Sequence, residues 1–142
     1  MKNIVLLFAV ALYSFSAAAA DSLNDGDTGT YVVLDKNRNP TEMFYRLSQS
    51  DGKWVMDGKK PGGGWANISC DTGCEYRDST EGEIQTYFPP DWRANTSISC
   101  IQNMAQAFCR YSVKEDSTKR GYVVIALVTG RPIPIFVRRV PS

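Results

Sequence analysis

The order of apolar and polar residues along the chain predicts short β-strands separated by tight turns. Residues 30–35, 42–48, 53–57 and 65–70 are rich in β-branched or aromatic side chains and are bounded by turn-forming residues. Between the second and third of these runs, Asp51-Gly52 tolerates the positive φ angles that a two-residue hairpin turn requires. This part of the chain is therefore predicted to form antiparallel strands.

One segment departs from the strand pattern. Thr80 stands three residues before Glu83, which is the spacing of a capping box, and apolar residues then recur at helical spacing up to Pro89-Pro90. A proline inside a helix removes a backbone hydrogen bond and clashes with the preceding turn. We therefore expect one short helix over residues 81–88, ended by the two prolines.

The C-terminal part of the chain returns to strands, at residues 97–102, 107–113, 121–129 and 133–140. The sequence GYVVIALVT in the third of these is apolar at consecutive positions, as expected of a strand buried on both faces. Roughly eight short strands and one helix predict a mainly β fold. We expect a small antiparallel barrel, with a two-sheet sandwich as the alternative.

The N-terminus has the pattern of a secretory signal peptide over residues 1–20. Lys2 precedes an apolar run, and the small residues Ala18-Ala19-Ala20 predict cleavage before Asp21. Residues 21–29 are polar and contain glycine, and we interpret them as a flexible leader before a single β-rich domain at 30–142. The mature chain is expected in the periplasm or outside the cell, without a membrane anchor.

The composition excludes several classes of chemistry. The chain has no histidine, which removes Ser-His-Asp catalysis, Cys-His catalysis and metal sites with histidine ligands. The formal net charge of +1 provides no global field that would recruit nucleic acid. We expect no cofactor, no metal and no nucleic-acid partner, and we favour a non-enzymatic function.

The even number of cysteines favours disulfides in an exported protein. If ISCIQNMAQAFCRY is a hairpin centred between Met104 and Ala105, Cys100 lies directly opposite Cys109, at a spacing that a disulfide can span. Cys70 then pairs with Cys74 by elimination, which makes CDTGC a structural staple. The four cysteines of the chain are Cys70, Cys74, Cys100 and Cys109.

Two other interpretations of the cysteines are less favoured. A thioredoxin-like redox pair has two intervening residues at the start of a helix, whereas CDTGC has three in a loop. A four-cysteine zinc site requires two closely spaced pairs, whereas eight residues separate Cys100 from Cys109.

Five residues are candidates for a binding surface: Trp54, Trp65, Gln102, Asn103 and Gln106. The two tryptophans bracket the loop GKKPGGGW, where aromatic faces could bind a sugar ring or a peptide; packing in the core is the competing interpretation. The three amides lie on or beside the predicted turn of the cysteine hairpin. They either satisfy the turn backbone or form an exposed polar tip for a partner.

These features favour an exported binding module that acts on a protein or an envelope polymer. An inhibitor or immunity-type protein directed at an envelope hydrolase or toxin is its most concrete form. The support comes from the predicted export and disulfides, the missing histidine, and the separation of an acidic stretch at 71–91 from a basic C-terminal third.

Two alternatives follow from other residues. A small-ligand carrier with a lipocalin-like cavity would line its barrel with Tyr31, Phe44, Trp54, Val124 and Phe136. A carboxylate-dependent hydrolase would need two acids with separated pKa values in one pocket, drawn from Glu75, Asp78 and Glu83.

Overall fold

A computed structural model describes residues 21–68 and 74–141, which form one antiparallel sheet in the order β4-β3-β2-β1-β9-β8-β7-β6-β5. A 3-10 turn at Asp25–Asp27 precedes the sheet, and two helices, α1 Glu81–Tyr87 and α2 Pro90–Asn95, connect β5 to β6. The described strands are β1 Gly29–Leu34, β2 Pro40–Ser50, β3 Lys53–Lys59, β4 Trp65–Asn67, β5 Arg77–Asp78, β6 Thr96–Gln102, β7 Gln106–Val113, β8 Asp116–Ala126 and β9 Ile133–Arg139.

The sheet is curled into a half-barrel. Its curvature brings distant strands together across the concave side: Gln106 Nε2 on β7 donates a hydrogen bond to Met56 Sδ on β3 at 3.3 Å, although four strands lie between them in the sheet. The predicted mainly β, antiparallel, barrel-like fold is confirmed. The described strands belong to a single sheet and do not divide into the two sheets of a sandwich.

Strand β8 is buried on both faces, as its continuous apolar sequence predicts. Tyr122 and Val124 point to the concave side of the sheet, whereas Val123 and Ile125 point to the convex side. Successive side chains of a strand alternate between faces, so an apolar run such as this can serve two cores at once.

The concave side holds an inner cluster of packed apolar side chains. The ring centroid of Tyr31 lies 5.0 Å from that of Phe108 and 4.8 Å from that of Tyr122, both edge-on. The inner cluster is formed by Leu23, Tyr31, Val33, Leu47, Met56, Ile101, Phe108, Tyr122, Val124 and Val137.

The convex side of β6, β7 and β8 is covered by the helices. Phe88 stacks on Trp92 with ring centroids 5.0 Å apart, and Trp92 meets Tyr111 edge-on at 4.7 Å. This outer cluster has as its buried members Phe88, Cys100, Ala107, Cys109, Val123 and Ile125. The two clusters together explain why β7 and β8 contain so few polar positions near their centres.

The cysteine hairpin has the predicted register. Cys100 on β6 lies opposite Cys109 on β7, their Cα atoms are 4.1 Å apart, and a disulfide joins them. This prediction is confirmed. The other predicted bridge involves Cys70, which lies outside the described residues; Cys74 is itself disulfide-bonded.

The helical region was predicted in part. Helix α1 begins with the expected capping box, in which Thr80 Oγ1 accepts from the Glu83 amide and the Glu83 carboxylate accepts from the Thr80 amide. The second helix differs from the prediction, in which Pro89-Pro90 ends the helical region. Pro90 instead occupies the first position of α2, where the missing N–H has no helical partner to lose.

Residues Asp21–Thr28 form a segment that we call the N-terminal strap, and it packs against the domain. Leu23 is buried in the inner cluster and Asp27 is also buried. Asn24 caps the 3-10 turn by accepting from the Gly26 amide at 2.8 Å. The polar composition of this segment predicted a flexible leader, and the packing differs from that prediction. The reason is that Leu23 and Asp27 both have partners inside the half-barrel.

Strand β8 also starts earlier than predicted, at Asp116 rather than at residue 121. Its first residues are polar and exposed and pair with β7 beyond the apolar core.

Among the residues that the structure describes, the helices are all too short and too polar to cross a membrane.

Candidate functional surface

Trp65 is a large aromatic side chain that the fold leaves exposed. It begins β4, the last described strand at one end of the sheet, and 37% of its surface is accessible. The Arg46 guanidinium lies over its ring, 4.4 Å from the centroid, which is a cation–π contact. Most of the surface of Trp65 is therefore buried, and the exposed remainder is the part that a partner could contact.

The guanidinium of Arg46 is itself fixed by Asp57. Arg46 Nη2 lies 3.1 Å from Asp57 Oδ2, and the two residues are direct cross-strand neighbours on β2 and β3. The ion pair is partly exposed, with side-chain accessibilities of 43% and 18%. Its free energy is therefore small, but it holds the cation against the Trp65 ring.

The strand register places further side chains on the same face of the sheet as this ion pair. Phe44, Lys59 and Trp65 occupy one cross-strand row on β2, β3 and β4, and Arg46 and Asp57 lie in the next row on the same face. Leu47 and Met56 point into the inner cluster, so by alternation this surface is on the convex side. We call it the Trp65 surface: Phe44, Arg46, Asp57, Lys59 and Trp65.

The β3–β4 hairpin is held in place from the concave side. The Ile68 side chain packs on Gly58, where a Cβ atom would come within 2.8 Å of the Ile68 Cγ2 atom. The connecting loop turns at Gly62, whose φ is 73°, and the Gly63 amide donates to the Lys60 carbonyl at 3.0 Å. Trp65 is thus presented on an anchored hairpin.

Trp54 does not share this surface. It lies on β3 opposite Gln49 and packs, half-buried, against the inner cluster. The two tryptophans that bracket the loop in sequence therefore point to opposite faces of the sheet. The structure does not bring them together as a clamp, and of the two only Trp65 is available to a partner.

Gln102 takes part in a polar network beside α1 and is only 5% exposed. Its Oε1 accepts from the Tyr87 hydroxyl and its Nε2 donates to Glu83 Oε2, both at 2.8 Å. Glu83 also accepts two hydrogen bonds from Arg77, at 2.7 and 2.8 Å. The Arg77 hydrogen bonds, together with the Thr80 amide, lower the pKa of Glu83 to about 2.

Asn103 and Gln106 also bind within the protein. Asn103 is 5% exposed, and its Oδ1 accepts from the amides of Ala105 and Gln106, which closes the turn of the cysteine hairpin. Gln106 Nε2 donates to the Tyr76 hydroxyl at 2.8 Å. Of the two interpretations, Asn103 follows the one in which the amide satisfies the turn backbone, and Met104 is the exposed side chain of this turn.

Two of the three candidate hydrolase acids, Glu75 and Glu83, are engaged in separate ion pairs, and Asp78 lies on β5. Glu75 Oε1 lies 2.7 Å from Lys53 Nζ at the surface, and Glu83 is held by Arg77. A carboxylate whose pKa is lowered in this way stays ionised and is a poor general acid. The described residues also show no group of three or more Asp, Glu or Cys side chains arranged to hold a metal ion.

The five residues proposed to line a lipocalin-like cavity lie on two faces of the sheet. Tyr31 and Val124 are buried in the inner cluster, and Trp54 packs against it. Phe136 packs against the outer cluster, and Phe44 belongs to the Trp65 surface. They cannot line one cavity together.

A buried polar group that the sequence did not indicate lies at one end of the concave side. Asp27 Oδ2 accepts from Arg110 Nη1 at 2.6 Å, and Asp27 Oδ1 accepts from the Tyr122 hydroxyl at 2.9 Å. Arg139 Nη2 donates to the carbonyls of Gly26 and Thr28. We call Asp27, Arg110, Tyr122 and Arg139 the strap latch. No motif marks it, since its members span more than a hundred residues of sequence.

Comparison of the chain with family models, with curated proteins and with solved structures gives no match, so any statement on function rests on the geometry above.

Proposed function

We propose that this protein is an exported, non-enzymatic binding module whose recognition site is the Trp65 surface. The observation that carries the proposal is an exposed tryptophan whose ring is covered on one side by an arginine that an aspartate holds in place. Tryptophan and arginine are the residues most enriched at the energetic centres of protein interfaces. Side chains that are already fixed before binding lose little entropy when a partner arrives.

The charge of the surface indicates the kind of partner. Arg46 and Lys59 bring two cations, and Asp57 brings one carboxylate that is already paired with Arg46. Such a surface favours a protein partner with acidic residues around an apolar contact. An exported hydrolase or toxin, inhibited by blocking of its substrate cleft, is the partner class that we propose.

Export is part of this proposal. The signal-peptide pattern at residues 1–20 and the Cys100–Cys109 disulfide both fit an oxidising compartment, either the periplasm or the extracellular space.

The test uses the mature protein immobilised from residue 21 and exposed to envelope and secreted extracts. A captured hydrolase or toxin is purified, its activity is assayed with stoichiometric binding module, and its Kd is measured by calorimetry. Trp65→Ala should weaken binding about tenfold or more, because it removes the central aromatic anchor. Val128→Ala, which trims an exposed apolar side chain far from this surface in the sequence, should change Kd less than about twofold.

Two outcomes contradict the proposal. Recovery of no exported hydrolase or toxin would remove the partner class, and equal affinity of the parent and Trp65→Ala would remove the site. Specific retention on an envelope polymer, lost in Trp65→Ala, would keep the surface but replace the protein partner with a polymer.

A further inference from the structure

The N-terminal strap inserts two chemically different side chains into one end of the half-barrel. Leu23 belongs to the inner cluster, next to Tyr31, Phe108 and Tyr122 in the same packed group. Four residues later, the Asp27 carboxylate accepts from Arg110 at 2.6 Å and from the Tyr122 hydroxyl at 2.9 Å. An apolar group and a carboxylate are thus bound side by side.

The half-barrel offers the strap more hydrogen-bond donors than the Asp27 carboxylate alone accepts. Arg110 also donates to the carbonyl of Asp21, and Arg139 donates to the carbonyls of Gly26 and Thr28 and to the Tyr31 hydroxyl. Arg139 also lies over the Tyr31 and Tyr122 rings, 5.5 and 5.4 Å from their centroids. Without the strap, the guanidinium groups of Arg110 and Arg139 would remain beside the aromatic rings, and the Asp27 carboxylate would no longer balance their charge.

The tyrosines are suited to donate hydrogen bonds to an anion. Burial raises the pKa of both Tyr31 and Tyr122 above the ordinary value for a phenol. Both hydroxyls act as donors to the strap: that of Tyr122 donates to Asp27 Oδ1, and that of Tyr31 donates to the Asp27 backbone carbonyl.

We propose that this end of the half-barrel is a binding site for a small amphipathic carboxylate, and that the strap occupies it when no ligand is bound. The ligand carboxylate takes the place of the Asp27 carboxylate on Arg110 and Tyr122. Its apolar chain takes the place of Leu23 against the aromatic rings. The strap is then an internal competitor, and its release is coupled to binding.

The connection of the strap to the sheet is compatible with such release. The strap joins β1 at Gly29, whose φ of 152° is a conformation that favours glycine. Rotation at this residue would break only its own pairing with Leu47 on β2, whereas Tyr31 and Val32 would stay paired with both β2 and β9. This site is separate from the Trp65 surface and does not depend on the function proposed for it.

The first test is calorimetry with octanoate as the probe, in buffer matched for ionic strength with chloride. The variant Leu23→Ala/Asp27→Asn should bind octanoate at least about tenfold more tightly than the parent, because it lacks both competing side chains. Adding Arg110→Gln to that variant should abolish this gain. Octanol should not bind with comparable affinity, and Val128→Ala, which trims an exposed side chain outside the inner cluster, should behave as the parent does.

Circular dichroism establishes that each variant is folded. Equal binding by the parent and the folded double variant, or no binding by either, would overturn the proposal. If the double variant does not fold, hydrogen exchange of the parent decides: octanoate should accelerate exchange at residues 21–28 without affecting β3 and β4. Unchanged exchange of the strap at saturating octanoate would overturn the proposal.

Discussion

The strap latch and the Trp65 surface are built from the same three kinds of group, but they use them differently. In the latch, Asp27 pairs with Arg110 beside a tyrosine, and the two charged side chains are 3% and 13% exposed. At the Trp65 surface, Asp57 pairs with Arg46 beside a tryptophan, and the accessibilities are several times higher. The first set binds a segment of its own chain, whereas the second leaves its aromatic ring available to another molecule.

This difference shows why residue type alone does not identify a binding site. A buried aspartate–arginine pair is strongly coupled to folding, since removal of one partner leaves an uncompensated charge in a poorly solvated place. An exposed pair contributes little to the free energy of unfolding, so its removal leaves the fold intact. The following predictions test this distinction, from the largest expected effect to the smallest.

Phe108→Ala should have the largest effect on stability. Phe108 is completely buried and packs against Tyr31 and Tyr122, so its removal leaves a large cavity in the inner cluster. We expect the free energy of unfolding to fall by about 3–5 kcal/mol in denaturant titrations. A loss below about 1 kcal/mol would show that the concave side is not a packed core.

Asp27→Ala and Asp57→Ala form a matched pair that tests the comparison itself. Asp27→Ala should cost about 3 kcal/mol because Arg110 loses its buried partner, and Asp57→Ala should cost at most about 1 kcal/mol. Both are measured by chemical unfolding at the same ionic strength. Equal losses would mean that the two ion pairs do not differ in the way their burial indicates.

Glu83→Gln tests the Arg77–Glu83 ion pair, which is more exposed than the Arg46–Asp57 pair but is joined by two hydrogen bonds. Because the pKa of Glu83 is lowered to about 2, its pairing with Arg77 stabilises the fold above about pH 4.5, and this contribution is lost as the pH falls from there to about 2. We expect Glu83→Gln to lose about 1 kcal/mol at pH 7, after allowance for solvent screening, and to have a flatter stability profile over that range. An unchanged pH profile would contradict the assigned pairing.

Trp65→Ala should have the smallest effect on stability. The side chain is partly exposed and contacts Arg46, which remains paired with Asp57 when the ring is removed. We expect the free energy of unfolding to fall by less than about 1 kcal/mol, because the loss is limited to the cation–π contact and the packing of a partly exposed ring. A loss comparable with that of Phe108→Ala would make Trp65 a core residue and remove the main argument for the recognition site.

The sequence allowed much of the fold to be predicted because local signals agreed with it. The turn at Asp51-Gly52 has φ angles of 51° and 76°, as a hairpin turn of that composition requires. The cysteine register followed from the position of Cys100 and Cys109 relative to a single turn. The burial of the centre of β8 on both faces followed from the consecutive apolar residues of GYVVIALVT, although the strand ends at Ala126 and Val128 beyond it is exposed.

The site was less accessible to the same reasoning because it depends on contacts distant in sequence. Side chains of a strand alternate between its faces, so the faces of Trp54 and Trp65 can be assigned only when the strand register is known. The loop between them prevents that register from being read from the sequence. The strap latch joins Asp27 to Arg110 across most of the chain, and a polar N-terminal segment gives no sign of such a partner. Gln102 and Asn103 were correctly placed at the hairpin, but local composition does not show that their amides face inward.

The most direct test of the account is the affinity of Trp65→Ala for the captured exported hydrolase or toxin, measured beside its free energy of unfolding. The account predicts binding at least about tenfold weaker than the parent's, with stability within about 1 kcal/mol of it. Parental affinity in a fully folded Trp65→Ala would contradict the assignment of this surface as the recognition site.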